Sequence, residues 1–203
     1  MIPVAGETFR CFVAVAIPAE ARGFLDDFMR EAREAFPSYR FASAENLHIT
    51  IQFLGDVERR RIPELDGALS SAVRELPRFF MGLGEAGSFP SRGVPRVLHV
   101  TVGHGEVELH RLAQKVTAAL SPLGFRPDKP FAAHITLGRA RDRDRRAAPD
   151  SDVALSWRTA FSRFRMPAKR PTDWEIPEII LMESVLGQRG PTYTRRGTAS
   201  LQG

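Results

Sequence analysis

Residues 47–54, Leu-His-Ile-Thr-Ile-Gln-Phe-Leu, alternate apolar and polar side chains. A period of two is the mark of a strand that lays one face against a core. Side chains two apart in a strand project from the same face. Leu47, Ile49, Ile51 and Phe53 are therefore expected on the core face, and His48, Thr50 and Gln52 on the other. Such a strand presents an imidazole and a hydroxyl side by side, roughly 6 to 7 Å apart along the backbone. The same His-x-Thr order returns at His134-Ile135-Thr136 and at His99-Val100-Thr101. With ten threonines in 203 residues, a given histidine has about a one-in-twenty chance of a threonine two places on. Three of the five histidines meet it, which chance does not supply.

One His-x-Thr pair can hold an oxyanion. Two facing pairs bring two imidazoles and two hydroxyl donors around a single phosphate. That suits phosphodiester cleavage without a metal, one histidine taking a proton from water and the other protonating the departing oxygen. The histidines lack the i, i+4 helical spacing of a zinc protease, and no Asp or Glu accompanies them locally. Thr50 or Thr136 as a covalent nucleophile would leave one pair without a role. No G-x-x-x-x-G-K-[ST] segment is present, which removes the usual nucleoside triphosphate reading. No cofactor and no metal are expected.

The rest of the chain places these motifs in two similar halves. A β-rich run over 9–17 ends at Pro18, and a helix over 19–36 ends at Pro37. A short strand over 40–42, the strand over 47–54 closed by Gly55-Asp56, and a helix over 63–76 complete the first half. The second half reads as a strand over 79–84, a Gly, Pro and Ser-rich loop over 88–95, a strand over 96–102, a helix over 109–120 and a strand over 130–137. A mixed-charge loop over 141–150, a strand over 157–166 and a strand over 178–186 follow. A single two-lobed unit spanning 1–203 is expected, with a frayed tail over 195–203. His48 and His134 each lie on the strand that follows a helix, whereas His99 precedes one. If a pseudo-twofold relates the halves, His48 and His134 face one another and His99 is a cleft-lining neighbour or a structural residue.

Composition narrows the setting. The chain carries 29 Lys+Arg against 24 Asp+Glu, a formal charge of +5, and 26 of the basic residues are arginine. Arginine's planar fork suits phosphate, although genome composition also raises Arg over Lys. The single cysteine, Cys11, excludes an internal disulfide framework and a Cys-based zinc site. No run of about 18 apolar residues is present, and no signal peptide is apparent. A cytoplasmic monomer without membrane contact is the expectation.

The chain resembles the two-histidine phosphoesterases, and within them the RNA 2′,3′-cyclic phosphodiesterases, also called 2′-5′ RNA ligases. The resemblance is carried by Arg10-Cys11-Phe12-Val13-Ala14-Val15, by Glu45-Asn46-Leu47-His48-Ile49-Thr50-Ile51-Gln52-Phe53-Leu54-Gly55 and by Gly87-Ser88-Phe89-Pro90. It continues through Pro95-Arg96-Val97-Leu98, Pro130-Phe131-Ala132-Ala133-His134-Ile135-Thr136-Leu137-Gly138-Arg139 and Leu181-Met182-Glu183-Ser184. It implies a bilobal α+β fold, with two pseudo-twofold-related antiparallel sheets lining a central cleft and helices outside. It also implies metal-independent hydrolysis of RNA 2′,3′-cyclic phosphate ends to 2′-phosphates, with reversible 2′-5′ ligation as a further activity. By motif position His48 would donate a proton to the departing 3′ oxygen and His134 would accept one from water. Thr50 and Thr136 would bind the phosphoryl oxygens, and Arg139 would add a phosphate contact.

Three departures stand out. Ala133 occupies a place that is usually Pro, and His99 a place that is often aromatic. The segment 167–177 is longer than usual and carries Trp174, either for stacking on a nucleobase or as a loop residue folded onto the surface. Phe12, His99 and Trp174 are thus candidate cleft or base contacts. A small cyclic nucleotide or an ADP-ribose cyclic phosphate is the other substrate class. Outside enzymes, the alternative is an RNA-end-binding module that does no chemistry.

Overall fold

A computed structural model describes residues 7–91, 93–141, 152–164, 173–187 and 190–202. The elements run β1 (Thr8–Ala16), α1 (Ala19–Ala35), β2 (Tyr39–Phe41), β3 (His48–Glu58), α2 (Ile62–Val73), β4 (Phe79–Met81) and β5 (Leu83–Phe89). They continue β6 (Val97–Val102), α3 (Glu106–Leu120), β7 (His134–Ala140), α4 (Val153–Arg163), β8 (Trp174–Ile176), β9 (Glu178–Gly187) and β10 (Gly190–Ser200). The fold is α+β, with one large and one small antiparallel sheet. The large sheet has the order β10-β9-β1-β3-β7-β6-β5, with β2 beside β7, and the small one pairs β4 with β8. Among the described residues no helix is long and apolar enough to cross a membrane.

Strands β3 and β7, which carry the two motifs, pair at Ile49 opposite Ile135, while β2 pairs β7 farther along. An antiparallel pair carries a local twofold, so His48 and His134, one residue back on each strand, become equivalent across it. Both isoleucines are fully buried. The core face of each strand is thus pinned at the joint, and the histidines are left on the opposite face.

Each strand then departs from simple alternation at the same place. Val13 pairs Gln52 and Ala14 pairs Thr50, so Ile51 is an extra residue in β3. Leu98 pairs Gly138 and His99 pairs Thr136, so Leu137 is an extra residue in β7. A bulge of this kind turns the following side chains over. Gln52, expected toward the polar face, is instead buried. Its amide donates to the Phe125 carbonyl at 3.1 Å, and its carbonyl accepts from the Thr117 hydroxyl at 2.9 Å. Phe53, expected in the core, is 64% exposed. In β7 the same shift buries Gly138 and turns Arg139 outward beyond Thr136. Phe53 and Arg139 therefore occupy equivalent positions in the two halves.

Three other expectations are corrected. The strand expected over 157–166 is helix α4 across its described part. Val153, Trp157, Ala160, Phe161 and Phe164 recur at the 3.6-residue period, and Trp157 and Phe161 are fully buried. The single strand over 79–84 is two strands broken at Gly82, and residues 88–89, read as loop, close β5. The tail read as frayed belongs to β10, which pairs β9 from Gly190 to Ser200. Ala199 and Leu201 are buried, and Gln202 exchanges backbone hydrogen bonds with Leu76 and Arg78. Charged and polar side chains on an edge strand hide its pairing from a hydrophobicity reading. The mixed-charge loop over 141–150 lies, beyond Arg141, outside the described residues.

Candidate active site

His48 and His134 are held in the same way. The Nδ1 of His48 lies 2.7 Å from the Asn46 carbonyl oxygen, and that of His134 lies 2.7 Å from the Ala132 carbonyl oxygen. A carbonyl only accepts, so in both rings Nδ1 carries the proton and the neutral tautomer leaves Nε2 as an acceptor. The contact in each case spans two residues, from the turn before the strand to its first residue. It fixes the ring plane at the strand's entrance. The His48 Nε2 then lies 3.0 Å from the Thr50 Oγ1, and the hydroxyl donates to it.

Around the two rings sit groups from four strands. Phe12 lies under His48 with ring centroids 4.8 Å apart, and Tyr193 meets His48 edge-on at 5.2 Å and 88°. On the other side Phe89 meets His134 edge-on at 4.9 Å. Burial lowers the pKa of His48 and of His134 below the ordinary histidine value. The carbonyls of Asn46 and Ala132 oppose the shift, and the positive charge of Arg139 adds to it in both. Burial raises the Tyr193 hydroxyl, and Arg139 pulls it back. The positive charge of Arg139, exposed on β7, acts on all three rings. Thr136 is half-buried on the same face as His134.

The third His-x-Thr does something else. His99 faces the cleft in register with Thr136 but is only 4% exposed, stacked on Phe89 at 4.3 Å and 5.2 Å from the His134 ring. Burial pushes its pKa down to about 4, so the ring is neutral near neutral pH. The Thr101 hydroxyl is consumed by the neighbouring strand, donating to the Glu85 carbonyl at 3.0 Å and accepting from the Glu85 N–H at 2.9 Å. It closes a backbone irregularity in β5.

Of the remaining candidates, Phe12 is 3% exposed and supports His48 instead of offering a face to a ligand. Trp174, expected in a loop, is buried in β8 opposite Met81 and lies in the small sheet. Of the segment around it, residues 165–172 lie outside the described residues. Cys11 is buried, and burial first, with Glu183 second, pushes its thiol up to about 11. Among the described residues no group of three or more His, Cys, Asp or Glu side chains is gathered as metal ligands. Tyr193 and Asn46 complete the site without having been singled out from the sequence. Tyr193 lies in a stretch with no apolar period, and the Asn46 carbonyl acts through backbone, which carries no residue-type signal.

A family model described as LigT like phosphoesterase matches residues 15–99 and 101–193. An RNA 2′,3′-cyclic phosphodiesterase of Archaeoglobus fulgidus is 31% identical over 185 residues, covering 91% of this chain and 96% of that protein. An RNA 2′,3′-cyclic phosphodiesterase of Aeropyrum pernix is 35% identical over 150 residues, covering 73% of this chain and 78% of that protein. Among solved structures, a protein of Thermus thermophilus superposes with a TM-score of 0.74 at 28% identity, covering 96% of this chain and 98% of that one.

Proposed function

Because the chain belongs to the LigT like phosphoesterases, we propose that it is an RNA 2′,3′-cyclic phosphodiesterase. It opens the cyclic phosphate to a 2′-phosphate with its two histidines and without a metal. The observation that carries this reading is the pair of identically anchored His-x-Thr strands related across Ile49 and Ile135.

Water attacks phosphorus in line with the P–O3′ bond, and the Nε2 of neutral His134 takes its proton. As the new O–P bond forms, the P–O3′ bond breaks and the departing O3′ receives the Nε2 proton of protonated His48. The Nδ1 anchors keep both Nε2 atoms turned toward the substrate through either protonation state. When His48 carries its second proton, Thr50 can no longer donate to Nε2, and its hydroxyl proton is free for a phosphoryl oxygen. Thr136 supplies the matching donor. Arg139 meets the negative charge that grows on the phosphoryl oxygens.

The reaction is tested by incubating the EDTA-treated protein with RNA bearing a 2′,3′-cyclic phosphate and identifying the product. A 2′-phosphate formed at an undiminished rate is expected. A 3′-phosphate product contradicts the assignment of leaving oxygen, and loss of activity with EDTA contradicts metal independence.

The pH profile follows from the lowered pKa values. The acid must be protonated and the base neutral, so kcat/KM is bell-shaped and its two apparent pKa values belong to the pair. Both histidines titrate below about 6.5 in the free protein, and the kcat/KM optimum is therefore expected on the acid side of that value. Bound phosphate, being negative, raises both, so the kcat optimum lies at higher pH than the kcat/KM optimum. A kcat/KM optimum well above about pH 6.5 would contradict the assignment.

A further inference from the structure

A cavity of about 590 Å³ opens beside His48 and does not touch His134. Its walls come from α1, from the turn over 43–47 and from the β9–β10 hairpin, and they include Arg22, Asn46, Pro191, Tyr193 and Arg195. The volume lies within the roughly 300–1,000 Å³ range of small-molecule sites. The Asn46 side-chain amide donates to the Pro191 carbonyl at 2.8 Å and holds the hairpin against the turn. The same residue's carbonyl holds His48, so the wall of the cavity and the catalytic ring share one support.

The chemistry says what this space receives. In-line displacement sets the attacking water and O3′ on opposite sides of phosphorus. The water lies at His134, so the ribose that owns O3′ lies on the His48 side, where the cavity is. Tyr193, half-buried and perpendicular to the His48 ring, gives that side an aromatic wall, and a nucleobase stacks on such a ring in a sequence-tolerant way. The charged residues of the lining are Arg22, Arg195 and one acid, the exposed Glu45, so positive charge is in excess. Arg195 is engaged by Glu178 at 3.1 Å. Arg22, partly buried on the first turns of α1, has no carboxylate partner among the described residues. A partly buried arginine lining a nucleoside-sized space is matched to a phosphodiester, which its guanidinium can bind bidentately.

We propose that this cavity seats the terminal nucleoside of the substrate and that Arg22 binds the phosphodiester on its 5′ side. The protein thereby selects an RNA end over a mononucleoside cyclic phosphate. The inference rests on the phosphodiesterase reading above and adds the feature of the substrate that is recognised.

The test compares kcat/KM for a 2′,3′-cyclic-phosphate oligoribonucleotide and for a 2′,3′-cyclic mononucleoside phosphate with a free 5′-hydroxyl. Arg22→Gln is expected to reduce the oligonucleotide value by about tenfold, as for loss of one charge-assisted contact, and to leave the mononucleoside value within about twofold. The slope of log kcat/KM against log salt for the oligonucleotide should flatten by about 0.7, the share of one single-strand phosphate. Arg22→Lys, which keeps a point charge and loses the bidentate fork, should retain most of the salt slope yet lower the oligonucleotide kcat/KM by at least about threefold with the mononucleoside value unchanged, and it carries the test if Arg22→Gln fails to match the parent's melting temperature. An oligonucleotide preference reduced less than about threefold, or an equal loss on both substrates, overturns the proposal. Failure of the unmodified protein to hydrolyse either substrate would instead defeat the phosphodiesterase reading itself.

Discussion

His48→Ala and His134→Ala each lower turnover of 2′,3′-cyclic-phosphate RNA by about 10²–10⁴-fold, the usual worth of a positioned general acid or base. Both variants keep the fold. Strands β3 and β7 pair at Ile49 and Ile135, which neither change touches. Both imidazoles are half-buried at strand ends, and their Nδ1 partners are carbonyls at the site's rim. The losses are not additive, because a reaction that needs an acid and a base together gains little from either alone. The double variant should therefore fall only slightly below the weaker single one. Single-turnover rates, with circular dichroism as the control on folding, measure this. A variant with folded spectra and near-normal turnover would remove that histidine from the mechanism.

Trp157→Ala is the stability counterpart. Its ring is fully buried and packs on Phe28 at 5.0 Å, Phe36 at 5.5 Å and Phe41 at 6.2 Å. Deleting a buried indole of this kind costs about 3–5 kcal/mol. The indole N–H also donates to the His99 carbonyl at 3.1 Å, linking α4 to β6. At roughly 2–4 °C per kcal/mol for a chain of this size, the melting temperature should fall by on the order of 10 °C. Trp157→Phe, which keeps a ring and loses the hydrogen bond, should lose distinctly less. Thermal unfolding followed by near-ultraviolet circular dichroism decides it. A Trp157→Ala change below about 2 °C would mean that α4 does not hold the second half of the sheet.

The parts of the site legible in the sequence are those written in side-chain type and spacing. His48, Thr50, His134 and Thr136 emerge from period-two alternation, and chain position pairs the two histidines that stand one residue back from Ile49 and Ile135. Alternation fails after Thr50, where the extra residue Ile51 exchanges the places of Gln52 and Phe53. Nothing in a hydrophobicity pattern marks a bulge, because the cost of the extra residue is met by the neighbouring strand. Trp157 and Phe161 are four apart and fit either a strand face or a helix face in so short a stretch. The fully buried cluster with Phe24 and Phe28 decides for the helix. Tyr193 and Arg195 fall where the sequence turns polar, since β10 is an edge strand whose hydrogen bonds, rather than its side chains, keep it in the sheet.

The paired bulges have a consequence for direction. A site with true twofold symmetry would accept a phosphate in two orientations of equal energy, and a chain attached to it could leave by either side. After each bulge one side chain is turned outward, a phenyl at Phe53 in one half and a guanidinium at Arg139 in the other. The two lobes repeat the same backbone manoeuvre and differ in what they display at its end. That difference removes the degeneracy, and it gives a nearly palindromic pair of strands a polarity to match that of the nucleic acid chain.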